Sequence, residues 1–254
     1  MKYLEFTDVE IHELKSEIIG ETFEILVKQP DPQILSLFGN KPLPVVYGTD
    51  ANLSAGGYIN TLEGLLLGGE IPPVLFIGIR YKLGDEPDFM QFVTSRTREF
   101  TPTEDVENQK LMEQMTLREV KGGGAENFLK FLTTELRDWV SERFNVSDDT
   151  TYIGDSMGGL FGLYTLFTEP RAFKRYVIGS PWQEWNHPTT FELEESYAEN
   201  NNDMEAIVYM ASGAEEHIIG PHLEKMNPVM VEIFSKAKTA ERSEERRVGK
   251  ECER

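Results

Sequence analysis

The chain has 254 residues, enough for one α/β domain with a substantial core, and its apolar and charged fractions of 39% and 27% are those of a globular protein rather than a disordered or fibrous one. Lys plus Arg number 25 against 44 Asp plus Glu, a net charge of −19 whose field repels nucleic-acid phosphates and anionic lipid, so neither nucleic acid nor membrane is expected as a partner. Cys252 is the single cysteine, which excludes an internal disulfide framework and a cysteine zinc site, and the four histidines (His12, His187, His217, His222) show no paired metal-ligand spacing; no metal or organic cofactor is expected.

In chain order, residues 1–15 alternate apolar and charged side chains and lack the apolar segment of a signal peptide, so a cytoplasmic location is expected. Strand-like runs follow at 22–28, 43–47 and 74–79, rich in Val, Ile, Tyr or Phe and bounded by Gly, Pro, Asn or Asp. The apolar stretch 62–79 is broken by Gly64, Gly68, Gly69, Glu70, Pro72 and Pro73, which is incompatible with a membrane helix. Residues 85–122 read as a long polar connection with few periodic apolar positions, a length that in compact domains belongs to functional or disordered loops. After Gly122–Gly124, Phe128, Leu132, Leu136, Trp139 and Val140 fall on one helical face. A strand at 151–153 leads into a helix carrying Leu160, Leu163, Tyr164 and Phe167, stopped near Pro170; strands at 175–178 and 206–210 follow, then a helix over 221–238. Strands alternating with helices predict an α/β class, a largely parallel sheet covered by helices on both faces. Residues 1–240 are read as one domain, and 241–254 as a charged tail.

GDSMGG, Gly154 to Gly159, lies between the 151–153 strand and the following helix. A nucleophile on such a strand-to-helix turn needs residues without bulk two positions to either side, because strand and helix approach closely; Gly154 and Gly158 satisfy that. The turn lifts the Ser156 hydroxyl above the sheet and puts the Met157 N–H at a helix N-terminus, where a developing oxyanion is stabilised. The competing reading is a glycine-rich turn with a solvent-facing serine.

Four segments, RTREFTPT (Arg96 to Thr103), GGGAENFLKFLTTEL (Gly122 to Leu136), GDSMGGLFGLYTLFTEP (Gly154 to Pro170) and RYVIGSPWQEWN (Arg175 to Asn186), together resemble the putative esterase family of the α/β-hydrolase fold, in its enterochelin (siderophore) esterase-like branch. The resemblance runs from about residue 5 to about residue 238 and is weak for substrate, since relatives act on siderophore, sugar, aryl and thioester bonds. It implies a small-molecule ester substrate, Ser156 as nucleophile, and the amides of Met157 and Ala51 as oxyanion donors. Where relatives have Asp-Gly this chain reads Asp50-Ala51-Asn52, so a backbone geometry demanding glycine would be strained here. Asp50 and Asn52 would border the substrate; a turn or helix cap is the other reading of Asp50. ASGAEEH is similar to the segment bearing the family's acid and selects Glu216, with Glu215 as competitor. Trp182 and Trp185 would wall the acyl pocket or else cover the sheet edge; Arg96 and Arg98 would meet an anionic substrate group or else pair with neighbouring carboxylates.

The family's histidine follows a final helix and strand. Here the chain instead ends AERSEERRVGKECER, without histidine or strand pattern, and this tail is read as a non-native end replacing the family's last strand, the alternative being a genuine charged surface tail. Of the remaining histidines, His187, His217 and His222 fall near the catalytic edge but none in the family's position. A serine without a base is a poor nucleophile, so impaired ester hydrolysis is the expectation, with an acyltransferase or a non-catalytic binding protein on the same scaffold as rivals.

Overall fold

A computed structural model of the protein describes residues 8–83 and 88–212. Seven strands, β1 (Val9–Lys15), β2 (Thr22–Lys28), β3 (Leu43–Gly48), β4 (Leu75–Tyr81), β5 (Val146–Asp155), β6 (Arg175–Gly179) and β7 (Ile207–Ala211), form one sheet in the order β1-β2-β4-β3-β5-β6-β7. Pairing is parallel from β4 through β7, while β2 runs antiparallel to both β4 and β1. The mostly parallel α/β sheet expected from the sequence is therefore present, with an antiparallel hairpin at one margin.

β1 was not expected as a strand. Its sequence VEIHELK carries charge at every second or third position because it is an edge, paired only to β2, and charged side chains on an edge oppose further strand addition.

Helix α1 (Pro32–Leu37) is short, and α2 (Ala51–Leu67) packs Ala51, Ala55 and Ile59 on Val46 and Phe76, on one face of the sheet. Residues 85–122 are corrected from a polar connection: they contain α3 (Phe89–Phe100) and α4 (Val106–Thr116). Each opens on an aspartate whose carboxylate accepts two free amides of the first turn, Asp88 from Met90 and Gln91, Asp105 from Glu107 and Asn108. α3 escapes a hydrophobic-period search because it buries Thr97 and Glu99 along with Phe92 and Phe100, and α4 buries only Met112 and Thr116.

α5 (Ala125–Phe131) continues through a π turn (Leu132–Leu136) into α6 (Arg137–Arg143). On this turn Glu135 accepts hydrogen bonds from Ser16 Oγ (2.6 Å), Glu17 N (3.0 Å) and Ile18 N (3.3 Å), the bend between β1 and β2. α7 (Met157–Thr168) is almost wholly buried, as its sequence MGGLFGLYTLFT requires, and α8 (Pro188–Asn200) packs against it. The main core lies where α3, α5, α6 and α7 meet the sheet, centred on aromatic contacts such as Phe128–Phe161 (5.1 Å, edge-to-face) and Phe23–Phe131 (4.7 Å, stacked). Among the described residues no helix is long and apolar enough to cross a membrane.

Candidate active site

The chain passes from β3 to β4 on one side and returns to β5 on the other, so the carboxyl ends of β3 and β5 flank the point where strand order reverses, the usual ligand position in open α/β sheets. β3 ends at Gly48 and β5 at Asp155, and their pairing sets Gly48 opposite Ile153. The segments Thr49–Asn52 and Ser156–Met157 therefore emerge side by side.

Ser156 is exposed and sits at φ 58°, ψ −116°, a conformation strained for any residue with a Cβ. It is held there by backbone bonds on both sides: its N–H donates to Gly179 O (2.9 Å), and its carbonyl accepts from Leu160 N and Trp182 N (both 2.9 Å). A Cβ on Gly154 would come within 2.6 Å of Gly158 O, and one on Gly158 within 2.7 Å of Thr49 Oγ1, so both glycines are demanded by close approach. Tyr152, fully buried, donates its hydroxyl to Gly158 O (2.6 Å) and meets Thr49 Oγ1 at 3.2 Å, joining the elbow to the end of β3.

Met157 and Ala51 are the first residues of α7 and α2, so their amides have no intrahelical acceptor, and both helices begin at the carboxyl edge of the sheet, directly after β5 and β3. The glycine requirement anticipated at Ala51 does not arise. The left-handed residue is Asp50 (φ 55°, ψ 31°), a conformation aspartate tolerates better than most, and Ala51 is ordinary helix.

Asp50 does not face an open pocket. Its two oxygens accept from Arg96 Nε (2.9 Å) and Nη2 (2.6 Å), and both side chains are largely buried. Burial raises the Asp50 carboxyl, opposed by the charge and hydrogen bonds of Arg96; burial pulls Arg96 down, and the charge and hydrogen bonds of Asp50, with smaller contributions from Tyr81 and Tyr152, together hold it above its ordinary value. The guanidinium lies 5.6 Å from the Phe92 ring centre and 5.7 Å from that of Phe100. Of the two readings of Arg96, pairing with a carboxylate is what the geometry contains. Arg98 likewise donates to Glu99 Oε1 through Nε (2.8 Å) and Nη2 (2.5 Å), and reaches Glu21 at 3.3 Å. Asn52 is occupied too, accepting from Tyr81 N (2.8 Å) and donating to Tyr81 O (3.0 Å), which pins the start of α2 to the end of β4.

Of the two readings of Trp185, packing over the sheet is what the geometry contains: it is 0% exposed and donates Nε1–H to Thr103 O (2.8 Å). Trp182, half-buried, crosses it edge-on at 5.9 Å and adjoins Ser156 through its backbone. His12 lies on β1 against Trp139, far from the elbow in the sheet order, and His187 precedes α8, packed on Phe191 (5.3 Å). Glu215, Glu216, His217 and His222 lie outside the described residues. One residue absent from the sequence reading stands beside the elbow: Tyr58 of α2 donates its hydroxyl to Asp155 Oδ2 at 2.6 Å. A cavity of about 800 Å³ lies at the opposite end of the strands, between β2 and α2, with Lys28, Ile59, Leu62 and Val74 in its wall, and is unrelated to Ser156.

An exposed, strained serine on a glycine-flanked strand-to-helix turn at the carboxyl edge of a parallel sheet defines the α/β-hydrolase class. The family model described as "Putative esterase" matches residues 16–254, and the chain belongs to that family. Ferri-bacillibactin esterase BesA of Bacillus subtilis is 32% identical over 205 residues, covering 76% of this chain and 66% of that protein. The siderophore triacetylfusarinine C esterase of Aspergillus fumigatus is 29% identical over 175 residues, 66% of this chain and 53% of the relative. The chain thus spans between about half and two thirds of the length of these curated relatives. Among solved structures, the BES protein from Bacillus cereus superposes with a TM-score of 0.70 at 24% identity, over 91% of this chain and 84% of that one. The siderophore hydrolase EstA from Aspergillus nidulans superposes at 0.65 and 22% identity, over 85% and 74%. These two likenesses concern the fold.

Proposed function

We propose that the protein is a serine hydrolase that cleaves carboxylic esters of a siderophore through an acyl-enzyme at Ser156. The observation that carries this reading is the exposed Ser156 at φ 58°, at the turn from β5 into the buried helix α7. Family membership and the esterase names of the curated relatives support the same chemistry.

Ser156 Oγ attacks the acyl carbon and gives its proton to a base. The carbonyl oxygen becomes an oxyanion facing the amides of Met157 and Ala51, where preorganised donors act on charge as it develops. Collapse expels the alcohol, which takes the proton back from the base; water then repeats the sequence, releasing the acid and restoring the serine. Glu216 is proposed to orient the base, and Trp182 to border the acyl group. Asp50, Arg96 and Asn52 act from beneath, holding the start of α2 and hence the Ala51 amide in place.

A fluorophosphonate probe and a cyclic tri-ester siderophore test the reading together. Labelling at Ser156, lost in Ser156→Ala, and stepwise ester cleavage resolved by mass spectrometry are expected. A folded protein that neither labels nor cleaves any ester overturns it. Replacing His187, His217 and His222 one at a time by alanine then tests each as the base: a loss of labelling by orders of magnitude with the fold intact identifies it, and three variants that label like the wild type show a serine working without the family's histidine.

A further inference from the structure

We infer that Tyr58 and Asp155 form a clasp that fixes the spacing between the two oxyanion amides, making Tyr58 a positioning residue for the reaction; this rests on the serine-hydrolase reading above. Asp155 is the last residue of β5 and the immediate neighbour of Ser156. One of its oxygens accepts from Tyr58 Oη at 2.6 Å, and the other lies so close over Gly179 that a Cβ there could not be accommodated. The carboxylate is thereby wedged between α2, which carries the Ala51 amide, and the end of β6, whose Gly179 carbonyl holds Ser156 N–H.

Tyr58 is placed for this task. It stands two helical turns from Ala51 on the same helix, and its ring packs on Phe76 (6.2 Å) and over Gly48, the last residue of β3. A phenol anchored on β3 and β4 thus reaches across to the tip of β5. A hydrogen bond to a carboxylate is shorter and stronger than one between neutral groups, which suits a clasp spanning two independently packed elements. Burial, with the bond to Asp155 next, raises the Tyr58 phenol, so it remains a donor wherever the enzyme works.

The variants Tyr58→Phe, Asp155→Ala, their double, and Asp155→Asn separate the clasp from a merely structural contact. Tyr58→Phe and Asp155→Ala are each expected to lower kcat and the fluorophosphonate labelling rate by about tenfold or more, with KM within about twofold, and the double variant to be no worse than the poorer single. Asp155→Asn keeps an acceptor for the phenol and is expected to stay within about threefold of wild type. Strictly additive losses, an Asp155→Asn as weak as Asp155→Ala, or a loss confined to KM would overturn the clasp. Amide exchange provides an arm independent of turnover: Tyr58→Phe is expected to speed exchange at the hydrogen-bonded amides of Ser54, which donates to Asp50 O, and Ser156, which donates to Gly179 O, while leaving β3 and β4 protected, and unchanged exchange at both would reject the proposal. Wild-type protein that neither labels nor hydrolyses would remove the serine-hydrolase reading alone, and the exchange result would still judge the clasp.

Discussion

Asp50 and Arg96, 46 residues apart in the chain, form a two-pronged ion pair beneath the first turn of α2. Removing one partner leaves a buried charge unmatched, and Arg96→Ala is expected to cost about 3–5 kcal/mol in urea unfolding. Arg96→Lys is not conservative here, since lysine lacks the planar fork and the stacking over Phe92 and Phe100. The double variant Asp50→Asn/Arg96→Met is expected to be more stable than Arg96→Ala alone; an equal or greater loss would refute the pairing energetics.

Ser156 trades stability for exposure. Ser156→Gly relieves a conformation disfavoured for any side chain and is expected to stabilise the fold by about 1 kcal/mol while abolishing labelling. A melting temperature unchanged or lowered relative to wild type would show that the turn stores no strain.

Glu99 is 2% exposed; Arg98 donates twice to its Oε1, while Oε2 has no hydrogen-bond partner. Burial, only partly opposed by Arg98, pushes its carboxyl up to about 7. An acid whose folded value is raised stabilises the fold relative to its ionised form at low pH, and that contribution is lost as pH climbs from the ordinary carboxylate range through about 7. Glu99→Gln, which cannot ionise, is expected to match wild type near pH 4 and to be more stable by a few kcal/mol at pH 8. Parallel stability curves for the two proteins across that interval would contradict it.

Gly158 faces Thr49 with no space for a methyl group. Gly158→Ala is expected to destabilise by about 1–3 kcal/mol through overpacking and to lower the labelling rate by displacing the elbow. Pairing it with Thr49→Gly removes the obstructing hydroxyl and should recover part of both; no recovery would locate the clash elsewhere.

Much of the site's frame was legible in the sequence because it is local. Gly154, Ser156 and Gly158 declare a strand-to-helix turn within five residues, and the β5, β6 and β7 runs are bounded by turn formers. β1 shows its alternation but has only Val9, Ile11 and Leu14 as apolar positions, too few to tell an edge strand from a charged terminal segment, and α3 was not legible because it buries a threonine and a glutamate. Long-range pairings leave no local trace: Tyr58 and Asp155 are separated by 97 positions, and nothing near either one announces the other. Whether position 51 tolerates alanine is not legible locally either, since it depends on the left-handed conformation falling on Asp50 instead. Trp185 stayed open between pocket wall and sheet cover because a tryptophan near a catalytic loop can serve either layer, and its full burial and bond to the Thr103 carbonyl are long-range facts.

The π turn at Leu132–Leu136 governs more than its own helix. Deleting a single position there would swing Glu135 by about 100° around the axis and unhitch the bend between the first two strands from the helical layer. The widened turn therefore acts as a spacer that keeps the outermost ribbon of the sheet in step with the helix packed behind it, and length variation in this helix would be read first as a loosened margin rather than as a damaged catalytic edge.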